Sequence, residues 1–196
     1  MLKTGCNTTA GVAYSEVDGA QAIAIQAKNK LLAYGYTVYV GYDWPGENIK
    51  NSNSVGANLH IPIHSNAGAW DFSSLNPASG GTHTFHCNNI GTNCNSTRQS
   101  QSKALGTRLR ERMTSPGTSD KQCSDNNTSC TPLTRLGELY TNAVPAYVEA
   151  EFHTYGIGVT SYLQKPGTVG SEIANGVDAH LGFPRPPTFR SPGVIS

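Results

Sequence analysis

Residues 15–43, SEVDGAQAIAIQAKNKLLAYGYTVYVGYD, decide the fold class of this chain. Ser15 can cap a helix whose apolar residues Val17, Ala20, Ala24, Ala27, Leu31 and Tyr34 recur at intervals of three and four, and Gly35 stands just past its end. The YTVYVGYD that follows, Tyr36 to Asp43, alternates and is rich in β-branched residues, which is the pattern of a strand. A helix delivered straight into a strand is the repeating unit of an α/β domain.

The rest of the chain continues that alternation. LHIPIH, Leu59 to His64, reads as a second strand reached through a polar connector around residues 51–58. After Asn66 a Gly/Ser/Asn/Pro-rich loop runs to Gly81, and THTFHC reads as the next strand. Arg98 to Met113 reads as a helix with Leu105 and Leu109 on one side and Arg108, Arg110 and Arg112 mostly on another, a solvated face. LTRLGELY spans Leu133 to Tyr140, Pro145 then opens a strand from Ala146 to His153, and a last amphipathic helix runs from about Thr168 to Leu181. The expected fold is α/β, with a mostly parallel or mixed central sheet and helices on both faces. One domain is expected over residues 1–183; residues 184–196, PRPPTFRSPGVIS, carry four prolines and read as an extended tail or linker.

Composition narrows the function classes. The formal net charge is +1 and only 14% of residues are charged, so no basic nucleic-acid surface is indicated. No apolar run approaches the roughly 20 residues needed to span a bilayer, and MLKTGCNTTAG has no hydrophobic core of an export signal, so neither membrane insertion nor a signal peptide is expected in this stretch. Four of the five cysteines form two tight pairs, Cys87 with Cys94 and Cys123 with Cys130, each in a Gly/Asn/Ser/Thr-rich segment. Their spacing favours loop-closing disulfides over zinc knuckles, which use shorter intervals, and leaves Cys6 unpaired. Disulfides point to an oxidising, extracellular destination.

In α/β sheets functional groups gather at the carboxyl ends of strands and the amino ends of helices. Glu16 in the first helical turn, His64 closing LHIPIH and Glu149 in the apolar strand before Phe152 stand at such places. Singly, each has an ordinary reading: a charge against the helix dipole, a hydrogen-bonded strand end, a partner for an arginine. Together, the order of a glutamate opening an amphipathic helix, IPIHSNAG, GGTHTF and PAYVEAEFH resembles the zinc-dependent N-acetylmuramoyl-L-alanine amidases of bacterial autolysins and phage endolysins, over nearly the whole chain to about Phe183.

The resemblance implies that Glu16 and His64 bind Zn2+, that Glu149 is the catalytic base, and that Asn66, in the Ser65-Asn66-Ala67 run, lies at the substrate. Peptidoglycan is the implied partner, the cell wall the implied location, and a cell-wall-binding domain outside this chain is an implied companion of the proline-rich tail. The family's first zinc histidine has no counterpart, because no histidine precedes Glu16. The expectation is a chain lacking the first strand and its histidine, or else a rewired site. Two protein donors predict weak zinc binding, with His153 the first candidate for a replacement ligand. Glu151, on the same strand face as Glu149, competes with it for the role of base. His60, His83, His86 and His180 read as structural, and the alternation puts His83 and His86 on opposite faces. Two other readings stay open: a zinc peptidase of carboxypeptidase type, whose usual H-x-x-E pair is absent, and a non-catalytic peptidoglycan-binding module.

Overall fold

The computed structural model describes residues 6–7, 13–67, 80–88, 93–127, 129–130 and 136–182; the tail at 184–196 lies outside them. Its central sheet has four strands in the order β4 (Ile63–Asn66), β8 (Tyr147–Phe152), β5 (His83–His86) and β6 (Lys121–Ser124). β8 is parallel to β4 and antiparallel to β5, and β6 is parallel to β5, so the sheet is mixed. Two small ladders accompany it: β1 (Cys6–Asn7) runs antiparallel to β2 (Ala13–Tyr14), and β3 (Leu59–His60) parallel to β7 (Val144–Pro145).

Alternation along β8 sorts the two faces of the sheet. Val148 and Ala150 point toward α1 (Glu16–Ala33), α3 (Ser96–Arg112) and, after the one-turn α4 (Gly156–Gly158), α5 (Pro166–Leu181), joining Ile23, Leu105, Leu109 and Ile173 in the main core. The helices approach closely: a Cβ on Gly170 would stand 2.7 Å from the Ala27 backbone nitrogen, and one on Gly176 2.8 Å from Leu109 Cα. Tyr147 points the other way and packs with Phe85, Leu136, Leu139 and three half-cystines. A 3-10 turn (Gly137–Leu139) closes that second face, and α2 (Pro45–Ser54) packs against the turn. The mixed α/β architecture expected from sequence is the one observed.

The local departures have physical causes. α2 was hidden because PGENIKNSNS buries no residue and so shows no apolar stripe; Pro45 at its start supplies the helical φ. LHIPIH is broken into β3 and β4 around Pro62, which has no N–H for a ladder but whose carbonyl accepts from the Val148 N–H at 2.9 Å. The stretch expected as a strand, Tyr36 to Asp43, alternates between half-buried and exposed over 36–41 but joins no ladder among the described residues. β6 lies in the polar second cysteine segment, where KQCS carries no apolar alternation. The helix and strand ends elsewhere fall within about two residues of the sequence reading.

Both cysteine pairs are disulfides, with Cα–Cα distances of 6.0 Å for Cys87–Cys94 and 6.4 Å for Cys123–Cys130. Each closes a short loop, for which chain entropy gives a stabilisation of about 2–3 kcal/mol. Thiol titration of the unreduced, denatured protein is therefore expected to count one thiol, that of Cys6. A count of five would remove both bridges.

Candidate active site

β4 sets His64 opposite Glu149 of β8, and β5 sets His83 opposite the same glutamate, so these three residues form one row across the Tyr147 face of the sheet. α1 begins beside this row. Ser15 caps it, its hydroxyl accepting from the Asp18 N–H at 3.3 Å, and the first helical residue, Glu16, brings Oε1 to 3.1 Å from His64 Nδ1. The same oxygen accepts from the Ser65 N–H at 3.4 Å. Glu138, on the 3-10 turn, reaches the other ring nitrogen, Nε2, at 3.2 Å. Tyr147 lies against the imidazole, with centroids 4.6 Å apart and planes 10° from parallel. His64 is thus held at both nitrogens and on one face.

Charge follows from this packing. Burial works against a charged His64, but hydrogen bonds to Glu138 and Glu16 outweigh it and push the imidazole up to about 10. For Glu16, burial opposes ionisation, and the bond to His64 with the charges of His64 and His153 overcomes it, holding the carboxyl below its usual range. Glu149 goes the other way: burial, helped by the charges of Glu16 and Glu138 and opposed by His64 and a hydrogen bond with Tyr147, pushes it up to about 7. Its Oε2 is shielded from solvent and has no hydrogen-bond partner among the described residues.

Sequence reading placed Glu16, His64 and Glu149 in one site, and the fold brings all three together. Asn66 ends β4 just beyond them; its amide nitrogen is 3.5 Å from His83 Nδ1 and its Oδ1 accepts from the Ala67 N–H at 2.8 Å. His83 Nε2 donates to the Ser119 carbonyl at 2.9 Å and its ring meets Phe152 edge-on, a structural setting. His153 is buried, with Nδ1 2.9 Å from Ser65 Oγ and 3.0 Å from the Ser65 carbonyl. His60 lies near Glu138, His86 is buried at the end of β5, and His180 sits in the last turn of α5. Two residues of the site were not found from sequence. They are Tyr147, in the strand that carries Glu149, and Glu138, on the 3-10 turn.

Glu151 separates from Glu149 despite sharing its strand. Its carboxylate is fully buried and accepts from the backbone N–H groups of Gly81 at 2.5 Å, Phe152 at 2.7 Å and Gly117 at 3.2 Å, and from the Ser115 hydroxyl. Gly80 and Gly158 leave room for it: a Cβ on either would fall 2.6 Å from a Glu151 side-chain atom. This is a knot joining β8 to the segments around 80 and 117. Glu151→Gln puts an amide donor among four donors and is expected to cost about 2–4 kcal/mol, roughly 5–15 °C in Tm for a domain of this size. An unfolding midpoint within about 2 °C of wild type would refute that role.

Zinc fits part of this arrangement. Among the described residues no three His, Cys, Asp or Glu side chains are gathered into a metal cage. Glu16 Oε1 and His64 Nδ1, 3.1 Å apart, do have nearly the separation of two donors on one tetrahedral zinc, about 3.3 Å for bonds of about 2.0–2.1 Å. The unpartnered Glu149 oxygen is an atom that a bound water could satisfy.

No protein-family model and no curated protein sequence matches the chain. Solved structures do. The catalytic domain of CwlV, an N-acetylmuramoyl-L-alanine amidase from Bacillus (Paenibacillus) polymyxa, superposes with a TM-score of 0.65 at 16% identity, covering 91% of each chain. The CwlD amidase of Clostridioides difficile gives 0.64 at 15% identity, again over 91% of each chain. Ami1, the N-acetylmuramyl-L-alanine amidase of Mycobacterium smegmatis, gives 0.62 at 15% identity over 92% of this chain and 82% of its own. With the helix, strands and row of site residues in place, this chain has the fold of the N-acetylmuramoyl-L-alanine amidase catalytic domains.

Proposed function

We propose that this chain is a peptidoglycan hydrolase that cuts the amide between N-acetylmuramic acid and L-alanine, with zinc held by Glu16 and His64 and with Glu149 as general base. The observation that carries this reading is the Glu16–His64 donor pair beside Glu149, whose shielded Oε2 has no hydrogen-bond partner among the described residues. The amidase fold supports the same substrate class, since the similar structures are described as amidases of this specificity.

When bound, zinc supplies Lewis-acid polarisation of the scissile carbonyl and acidifies water. The protein's own groups do the rest. Burial keeps the Glu149 carboxyl at about 7, where it can take a proton from the attacking water near neutral pH and return it to the leaving L-alanine amine. Tyr147 and the β4–β8 pairing fix His64 against it. Asn66, at the end of β4, is placed to meet substrate. Action on the wall puts the protein outside the cell, in keeping with the two disulfides, and the proline-rich 184–196 segment would lead to a wall-binding domain. Among the described residues no helix is long and apolar enough to cross a membrane.

Purified peptidoglycan incubated with the protein should release new L-alanine amino termini, and a zinc chelator should stop the release. Sedimentation of the protein with the wall but no new amino termini, with zinc supplied, would make it a binding module. New termini elsewhere in the stem peptide would make it a peptidase.

A further inference from the structure

We propose that the crevice at the start of α1 binds the stem peptide of peptidoglycan, with Asp18 at its rim taking the side-chain amine of the peptide's diamino residue. The choice of occupant rests on the amidase reading above and names a subsite that the reading leaves open. The crevice has a volume of about 460 Å³ and lies between the first turns of α1 and the segment entering α5. That volume falls within the range of about 300–1,000 Å³ usual for sites that take small ligands. Tyr14 and Leu163 are buried and form its floor, Ala22 and Pro166 are half-buried walls, and Asp18 and Gln164 stand exposed at the rim. A Cβ on Gly19 would collide with the Tyr14 hydroxyl, so the glycine lets the phenol lie against α1 beneath the opening.

The crevice and the candidate active site share a wall. Ser15 lines the one, and the next residue, Glu16, belongs to the other. Tyr14 is hydrogen-bonded to Ser65, whose N–H donates to Glu16, and its ring lies against that of His153 with centroids 6.2 Å apart. An amidase must hold both partners of the amide it cuts, and the peptide partner leaves that bond as a chain of small and charged residues. An apolar floor and walls suit its alanine methyl groups, and Gln164 offers hydrogen bonds to its amides. Asp18 is the one charged side chain in the described lining, and no ion pair holds its carboxylate among the described residues. A carboxylate at the rim selects a cation, and the cation of a stem peptide is the amine of its diamino residue.

The test is the dissociation constant, by calorimetric titration, of the tripeptide L-alanyl-γ-D-glutamyl-L-lysine and of its Nε-acetylated form. It is measured for the wild-type chain, Asp18→Asn and Ala22→Phe, with thermal unfolding of each. In the wild type, acetylation should raise the constant about two- to fivefold, the scale of a solvent-exposed ion pair. Asp18→Asn should bring the free-amine peptide to the level of the acetylated one and leave the latter unchanged. Ala22→Phe, which fills the crevice, should weaken both peptides by about tenfold or more. Equal affinity of the wild type for the two peptides, an equal loss for both in Asp18→Asn, or unchanged binding in a folded Ala22→Phe would overturn the proposal, as would a wild type that binds neither. Should Ala22→Phe misfold, the acetylated peptide and Asp18→Asn decide alone. Binding in the expected pattern without release of L-alanine amino termini from peptidoglycan would uphold the crevice and bring down the amidase reading only.

Discussion

Replacing Glu149 by glutamine is expected to lower turnover of purified peptidoglycan by about a hundredfold or more while leaving zinc binding within a few-fold of wild type. Glutamine keeps the length and shape of the side chain and the β4–β8 pairing, but it cannot accept a proton at neutral pH. Glu149 is also the group whose environment suits a base. Burial raises its carboxyl to about 7, close to the pH at which a base is both largely ionised and strong enough to be useful. In the wild type, activity should fall as pH drops through the folded-state value, because the base becomes protonated, and the residual rate of Glu149→Gln should lack that fall. Release of amino termini across pH, beside zinc content, reads both. Near-normal turnover in a zinc-loaded, folded Glu149→Gln would end the assignment.

Glu151 is no neutral control for this experiment. A carboxylate that accepts from Gly81, Phe152, Gly117 and Ser115 acts through folding, so its substitution must be read beside an unfolding curve. By alternation alone Glu149 and Glu151 are equivalent, both in one apolar strand and on one face, and it is the family resemblance that puts Glu149 first. What separates them is which distant segments bring donors to each, and no local pattern carries that information. Glu16 and His64 were legible for the opposite reason. A capped first turn and a strand end are visible locally, and an α/β topology places them at one edge of the sheet, but their joint role in one site comes from the family resemblance. Glu138 was invisible because its partner lies 74 residues away and a one-turn 3-10 element has no periodicity to read. The same limit applies to the fold. α1, α3 and α5 declare themselves by apolar periodicity, although α1 buries Ile23, Ala27 and Leu31 and leaves Val17 of the expected stripe exposed, whereas α2 buries nothing and is set by Pro45 and its own hydrogen bonds. The break at Pro62 could have been anticipated from the missing N–H alone.

His64→Ala should lose metal and activity together. The ring is in contact with both Glu16 and Glu138, and it stacks on Tyr147. Deleting it removes a donor from a site that has only two among the described residues, so zinc affinity should fall below detection rather than by a modest factor. It also removes the positive charge that lowers the carboxyls of Glu16 and Glu149. A depressed carboxyl contributes stability that is present above its unfolded-state value and lost as pH falls through its folded-state value. Without His64 the contribution of Glu16 disappears, so the variant should be less stable than wild type at neutral pH and the difference should shrink in acid. Metal content after dialysis, amino-terminus release and unfolding midpoints at neutral and acid pH separate the two consequences. If the variant unfolds outright, adding imidazole to fill the emptied space gives a second readout, with partial return of zinc binding expected. Stoichiometric zinc and turnover within about tenfold of wild type would mean that His64 is not a ligand, and that its two glutamates serve the fold alone.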